Sequence, residues 1–284
     1  MTTQINPFYP VLRNQLSTQF ITDEGVTEDV DVERDVLLNG ENGQLLGTVG
    51  RIYKLITNQE VEDVFSEAFS DLPITEIDDH LSWKQNKWQR DYILDGDDFN
   101  IVVGGEVVQT KISIWNGYDG KSAVGFSVSA YRRRNNTTLL SKMFGKTYSH
   151  VHCELVDRIR DDFTTQLRKF QDMTALFDQW SREVMTQQTF ESFIRSNIKT
   201  DAVGNTGFLS ERQADAIIDS YEGHLIRCGV GNTRWGAYNV LASIAANDVT
   251  GRGGSSNVFT QGYKRMERLS KNFFEFDGED LFTI

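Results

Sequence analysis

The sequence is poor in the features that define several protein classes. It has only two cysteines in 284 residues, Cys153 and Cys228, too few for a disulfide framework. Its apolar runs, such as FNIVVGG at 99–105, are far shorter than the roughly 20 residues that a membrane-spanning helix needs. The opening MTTQINPFYP lacks the basic start and apolar block of a signal peptide. We therefore expect a soluble protein of a reducing cytoplasm with no membrane partner.

Motifs for catalysis or cofactor binding are also missing. GVGNTRWG at 229–236 lacks the Lys-Ser/Thr ending of a P-loop and the glycine spacing of a dinucleotide site. His224 and Cys228 fall on one face of a predicted helix and could share a zinc ion, but a buried core position explains them more simply. Acidic pairs such as Asp78–Asp79 fit a metal-dependent nuclease, although acidic turns are commoner. We predict no cofactor, no metal and no enzymatic activity.

The formal net charge of −12 is unevenly distributed along the chain. Residues 1–100 hold 7 basic and 20 acidic side chains, whereas residues 101–170 hold 11 basic and 6 acidic ones. Residues 171–284 hold 11 and 15. Because the local field matters more than the total charge, the basic middle segment can bind a polyanion. The alternative is that these cations pair with nearby carboxylates.

Composition and periodicity divide the chain into three regions. Residues 1–40 form an acidic N-terminal arm, in which TDEGVTEDVDVERD indicates an edge strand or a partly ordered segment. Residues 41–188 hold an antiparallel sheet and helices, and form the predicted binding core. Residues 189–284 are helical and end in an acidic-aromatic tail. The fold class is α+β, with a small antiparallel sheet and a packed helix followed by a long helix and further helices.

Local patterns predict the main elements of the core region. An apolar strand ends near Ile56, and a helix capped by Thr57 or Asn58 runs over 57–69. Period-two alternation and turn sequences predict three to five antiparallel strands over 76–135. In this sheet, Ile112 and Ile114 share one face, and Lys111, Ser113 and Trp115 lie on the other.

Helical periodicity dominates the remainder of the chain. A long amphipathic helix is predicted from His150 to about Gln187, with a break near QDMTAL. The sequence SERQ gives a capping box, in which Ser210 is followed three residues later by Gln213. Further helices are predicted at 189–199, 210–227, 233–247 and 258–273.

Three stretches carry a family resemblance: LLGTVGRIYKLITNQEVEDVF (45–65), WNGYDGKSAVGFSVSAYRRRNN (115–136) and GNTRWGAYNVLASIAANDVTGRGG (231–254). Their order and spacing resemble a phage and plasmid protein family known as domain of unknown function 932. The family often has a Cys-Asn pair where this chain reads YRRRNN. The resemblance implies a mobile-element origin, and so the host cytoplasm, but no activity. At the level of the fold, the predicted elements are also similar to phage annealing proteins of the Redβ, RecT and Erf kind.

The segment YRRRNNTT (131–138) is the strongest candidate site, because it sets three positive charges side by side. Basic side chains neutralise phosphates, and aromatic rings stack on unpaired bases. On a strand, alternate arginines point to opposite faces. The alternative is a solvated strand end whose charges prevent edge pairing. The candidate nucleic-acid contacts are the cations Arg132, Arg133, Arg134, Lys142 and Lys146 and the aromatic residues Trp115, Tyr118 and Tyr131.

Two further stretches could take part. GRIYKL (50–55) contributes Arg51 and Lys54, which also fit an exposed edge strand. FFEFDGEDLFTI (273–284) looks similar to the acidic-aromatic tips through which single-stranded-DNA-binding proteins recruit phage or host replication proteins. A helix that packs its aromatic side chains on the core explains this tail as well.

Taken together, these features favour a phage-encoded protein of DNA metabolism that binds single-stranded DNA. We expect it to promote annealing or recombination and to form a homo-oligomer. The first alternative is a protein-binding factor of counter-defence or assembly that acts through its acidic surface. The second is a metal-dependent nuclease.

Overall fold

A computed structural model describes residues 6–21, 27–132, 137–148, 156–200, 207–247 and 261–276. It confirms the α+β class, with two antiparallel sheets and a set of helices. The strands are β1 Val11–Ile21, β2 Thr27–Asn39, β3 Leu45–Gly50, β4 Ile74–Leu81, β5 Lys87–Leu94, β6 Asn100–Val103, β7 Glu106–Gly117, β8 Val124–Arg132 and β9 Thr137–Tyr148. The helices are α1 Asn58–Ala68, α2 Val156–Asp172, α3 Thr174–Trp180, α4 Gln187–Ser196, α5 Glu211–Cys228, α6 Arg234–Asn247 and α7 Gln261–Glu275.

The first three strands form a sheet in the order β1-β2-β3. Most of the predicted acidic arm is therefore the β1–β2 hairpin. The pairing register shifts between Leu16 and Ser17, opposite Glu33, whose φ is 53°. Such a bulge bends the hairpin and increases its twist.

The second sheet has six strands in the order β4-β5-β7-β8-β9, with β6 paired to β7 beyond the end of β5. The sequence predicted three to five strands over 76–135, and the structure adds β9 after the basic segment. The two sheets meet at a small apolar cluster that joins β2, β3 and the β7–β8 turn. It consists of Tyr9, Leu37, Leu46, Val49 and Tyr118.

Helix α1 begins where the sequence predicted. Thr57 is its N-cap and forms a capping box with Glu60, whose carboxylate accepts from the Thr57 amide at 2.6 Å. The apolar side of α1 presents Val61 and Phe65 to the six-stranded sheet. This sheet buries Ile112, Ile114 and their even-numbered neighbours under α1 and α2.

The predicted long helix breaks at Met173, as expected, but it ends at Trp180 rather than near Gln187. The predicted capping box of Ser210 and Gln213 opens α5, and Gly229 ends it in the left-handed conformation with φ 64°. Residues 235–244 of α6 are all buried, as expected of a helix packed on every side. Among the described residues, no helix is long and apolar enough to cross a membrane.

The aromatic end of α7 packs on the helical core. The ring of Phe274 lies 4.8 Å from that of Trp180, and the ring of Phe273 lies 5.0 Å from that of Phe193. Packing on the core, the alternative explanation of the tail, therefore accounts for these phenylalanines. Residues 277–284, which include the acidic Asp277, Glu279 and Asp280, fall outside the described ranges.

Candidate functional site

The six-stranded sheet has two chemically different faces. One face is apolar and packs against helices. The opposite one, here called the polar face, carries the odd-numbered residues of β5, β7 and β8, so the predicted separation of Ile112 and Ile114 from Lys111, Ser113 and Trp115 is confirmed. The central residues of the polar face are Gln89, Asp91, Gln109, Lys111, Ser113, Trp115, Gly125, Ser127, Ser129 and Tyr131.

A network of charged side chains occupies the β4 side of the polar face. The Lys111 ammonium lies 2.7 Å from Asp91 Oδ2, and both side chains are over nine-tenths buried. His80 Nε2 lies 3.1 Å from the same oxygen, and Gln89 Nε2 donates to Asp91 Oδ1 at 2.8 Å. The carboxylate is therefore held from three sides.

The pKa shifts in this network follow from its geometry. Burial would raise the pKa of Asp91, but Lys111 and His80 together hold it well below the usual range. Burial would lower the pKa of His80, but the hydrogen bond and charge of Asp91, with the charge of Asp78, raise it above the usual value. The network thus favours an ionised Asp91 beside a protonated His80.

Small residues form the middle of the polar face. Ser113 pairs across the strands with Ser127, and Ser127 pairs with Gly145. Ser129 lies opposite Lys111 and donates to its carbonyl oxygen at 3.3 Å. Ser113, Ser127 and Ser129 are only 5%, 1% and 1% exposed, so the middle of the polar face is buried and its accessible part is at the half-buried aromatic residues.

Two aromatic residues flank this middle region. Trp115 lies directly across from Gly125, and its ring occupies the space that a Cβ at that glycine would need, with Cζ2 at 2.7 Å. The indole therefore lies over Gly125 and is half-buried. Tyr131, also half-buried, is six residues further along β8, which corresponds to about 20 Å.

Arg132 does not belong to an open site, contrary to the prediction that it binds phosphate. Its side chain is completely buried on the helix-covered face. The guanidinium pairs with Glu106 and donates to Asn239 Oδ1 at 2.9 Å and to the Cys228 carbonyl at 3.1 Å. Since its charge is already compensated in the interior, Arg132 is a structural residue that ties β8 to α5 and α6.

Tyr118 is also a core residue rather than a base-stacking one. Its ring is 1% exposed and lies in the cluster between the two sheets. Its hydroxyl accepts from the Asn58 amide at 2.7 Å at the start of α1. Burial raises the pKa of this hydroxyl above its usual value. The prediction that Tyr118 stacks on bases is therefore wrong.

The other predicted cations lie at opposite ends of the sheet. Arg51 and Lys54 are exposed in the loop after β3, where Tyr53 contacts the Gly117 carbonyl. Arg13 holds this loop by donating to the carbonyls of Arg51 and Tyr53, each at 2.8 Å.

Near the opposite end, the β8–β9 connection carries Arg133 and Arg134, which fall outside the described residues. Lys142 lies within β9, but its side chain is not described. Lys146 is at the Trp115 end of β9, because it pairs with Phe126 beside Gly125, and its half-exposed side chain lies 3.9 Å from Asp162. The structure therefore does not gather the predicted cations into one site.

The sequence reasoning missed the network of His80, Asp91 and Lys111. Charged residues within the apolar strands KWQRDYIL and EVVQTKISIW were the available signal, but strand pairing was needed to bring them together. It also missed Asn100 and Gln109, which pair directly between β6 and β7. In the described structure, the amide oxygens of both are buried without a hydrogen-bond donor.

The suggested zinc ligands are core residues. His224 and Cys228 are both buried in α5, and His224 Nδ1 lies 3.4 Å from Ser243 Oγ. Across the described ranges, no three His, Cys, Asp or Glu side chains are grouped to hold a metal ion. An open cleft of about 640 Å³ at the edge of β6 is lined by Asp97, Asp98 and Asp178, an acidic environment unsuited to a polyanion.

Comparison with protein families extends the resemblance noted in the sequence. A family model, domain of unknown function 932, matches residues 45–269, which is more than half of the chain. The chain belongs to this family. The match runs from the start of β3 into α7, so the domain of unknown function 932 includes the polar face, while β1 and β2 precede it. Searches of curated proteins and of solved structures gave no match.

Proposed function

We propose that this protein binds single-stranded DNA along the polar face of its six-stranded sheet. The observation that carries the proposal is the half-buried indole of Trp115, which packs over Gly125 on that face. Stacking on an aromatic ring is the sequence-tolerant contact that unpaired bases make. Tyr131 supplies a second half-buried ring on the same face, so bases of one strand would stack at two separate points.

The charges set the expected path of the strand. The centre of the polar face is electrically balanced, because Asp91 compensates Lys111. Phosphates are therefore bound at the two ends, by Arg51 and Lys54 near Trp115 and by the basic β8–β9 connection after Tyr131. Three to five such contacts predict that log K falls with log salt with a slope of about −2 to −3.5.

The test compares two tryptophans. Fluorescence anisotropy of a labelled oligonucleotide at low salt would measure the affinity of the wild type and of Trp115→Leu. Loss of one stacked base predicts about tenfold weaker binding. Trp83→Leu is the matched control, because Trp83 is 91% exposed on the β4–β5 turn, away from the polar face. Absence of binding by the wild type, or equal loss in both variants, would refute the proposal.

The same activity would place the protein in phage DNA metabolism as an annealing factor. A protein that holds a strand by stacking some of its bases on Trp115 and Tyr131 can present the other bases to a complementary strand. Quenching of paired fluorescent oligonucleotides would measure annealing, and Trp115→Leu should slow it. If the oligonucleotides anneal no faster with the protein than without it, the proposed function is limited to binding single-stranded DNA in the host cytoplasm.

The β1–β2 hairpin supports a second candidate function, binding of a basic protein. Residues 22–35 hold seven acidic side chains and one basic side chain. Beyond the bulge, this hairpin extends past β3, which pairs only with Arg34–Leu38 of β2. Neutralising Glu28, Asp29 and Asp31 as amides should abolish such binding and leave DNA binding intact. Deleting the whole arm is a poorer test, because Tyr9 and Leu37 are core residues.

A further inference from the structure

The sheet edges of this protein differ in how they are protected against pairing with other strands. Natural edge strands are usually short, charged or interrupted. At the other edges, β3 has six residues with two glycines, β6 has four residues, β4 carries three carboxylates, and β9 carries Lys142 and Lys146. β1 has eleven residues, of which Arg13 is the single charged one.

The charge of Arg13 does not protect this edge. Its guanidinium is bound to Asp35 at 2.5 Å and to carbonyls of the loop after β3. Within the described ranges, β1 pairs with β2 alone, so its outer backbone edge is open from Val11 to Ile21. Pro10 ends this edge, since proline cannot donate to a strand ladder.

The sequence of β1, VLRNQLSTQFI, reads as a palindrome of apolar and polar residues centred on Leu16. If two copies of β1 pair antiparallel about this residue, apolar positions face apolar positions and polar positions face polar ones. Antiparallel self-pairing is the arrangement that a twofold axis produces. The opposed pairs would be Val11 with Ile21, Leu12 with Phe20, Arg13 with Gln19, Asn14 with Thr18, Gln15 with Ser17, and Leu16 with itself.

We propose that two copies of this protein dimerise through β1, with the twofold axis at Leu16. The β1–β2–β3 sheets then join into one continuous six-stranded sheet, and the open edge disappears. The partner is a second copy because the pattern of β1 is complementary to itself. This inference does not depend on DNA binding, because the polar face lies on the other sheet.

The acidic strand β2 is compatible with such a dimer. The two copies of β2 would be three strand spacings apart, about 14 Å, which exceeds the screening length of about 8 Å at physiological salt. Added salt should therefore not dissociate the dimer. The salt independence of the proposed dimer distinguishes it from an assembly held by contacts between acidic and basic segments, because salt would weaken such contacts.

The first test measures the molar mass of the full-length protein by light scattering. We expect a dimer for the wild type and a monomer for Leu16→Lys, because the two introduced charges would lie directly opposite each other. Asn14→Lys is the matched control, since it faces Thr18 and should remain largely dimeric. Circular dichroism verifies that each variant is folded. A monomeric wild type at tens of micromolar would overturn the proposal.

The second test reads the register by mild oxidation of cysteine variants. Opposed Cα atoms lie about 4.5–5.5 Å apart, within disulfide reach, so Leu16→Cys should cross-link to itself. In Gln15→Cys the two equivalent Cα atoms would lie about 8 Å apart, beyond disulfide reach. Asn14→Cys and Thr18→Cys should cross-link only when mixed. Equal cross-linking at residues 15 and 16, or only the wild-type background at residue 16, would contradict the assigned axis.

Discussion

Arg132 and Glu106 form an ion pair in which the arginine side chain is fully enclosed and the glutamate is 29% exposed. The pair joins the end of β8 to the start of β7, and Asn239 of α6 completes the contacts of the guanidinium. The sequence suggests that Arg132 belongs to a basic surface, but in the structure it is a buried residue that connects the sheet to the helices.

Replacing Arg132 with methionine should lower the free energy of unfolding by about 3–5 kcal/mol, because carbonyl and carboxylate partners lose a buried donor. Urea denaturation measures this loss. Lys146→Met is the matched control. Its side chain is half-exposed and 3.9 Å from Asp162, so it should change stability by less than about 1 kcal/mol. If Arg132→Met and Lys146→Met lowered the free energy of unfolding equally, the buried position of Arg132 would be contradicted.

The pair of Asp91 and Lys111 should show strong coupling. Asp91→Asn leaves the buried Lys111 ammonium without its carboxylate and should cost about 3–5 kcal/mol. The double variant Asp91→Asn, Lys111→Met should cost less than the sum of Asp91→Asn and Lys111→Met, which a double-mutant cycle in urea measures. The half-exposed pair Glu191–Arg195 should give a coupling of only about 0.5 kcal/mol. Additive effects at Asp91 and Lys111 would argue against the buried pair.

His80 should make stability depend on pH. Because its pKa is raised in the folded state, its contribution is fully present below about pH 6.5 and is lost as the pH rises through the folded-state pKa. The stability difference between wild type and His80→Gln should therefore be larger at about pH 5.5 than at about pH 8. Thermal unfolding across this range measures it. The charged groups around His80 are Asp78, Asp91 and Lys111. A difference independent of pH would show that His80 does not titrate in this network.

Gly47 should tolerate no side chain. An ideal Cβ at this position would overlap the carbonyl oxygen of Tyr118, where the two sheets meet. Gly47→Ala should therefore destabilise the protein by about 1–3 kcal/mol. Gly50 lies on the same strand with open space around its Cβ position, so Gly50→Ala should be neutral or slightly stabilising. Differential scanning calorimetry compares the two. Similar melting temperatures would contradict the close approach of the sheets at Gly47.

Periodicity and caps predicted much of the fold. Alternation separated Ile112 from Lys111 correctly, and the caps at Thr57 and Ser210 located α1 and α5. These signals are local, because they depend on residues a few positions apart. Strand β9 was missed, since TTLLSKMFGKTY has no regular alternation and follows a basic, polar segment.

The site was harder to predict, because its composition depends on pairing between strands far apart in sequence. Alternation assigns Arg132 to a face but does not show which face the helices cover. The general preference of arginine for the surface then gave the wrong answer. His80, Asp91 and Lys111 come together only through the order β4-β5-β7. The aromatic residues Trp115 and Tyr131 remain candidates, because both lie on the polar face.

Gly125 of β8 lies close to both the Trp115 ring and the neighbouring strand β9. A Cβ there would meet both the indole of Trp115 and the backbone carbonyl of Lys146 on β9. Any side chain at Gly125 would therefore displace the indole, the outermost strand or both. The absence of a side chain at this one position lets the ring and β9 pack close to the same point of β8.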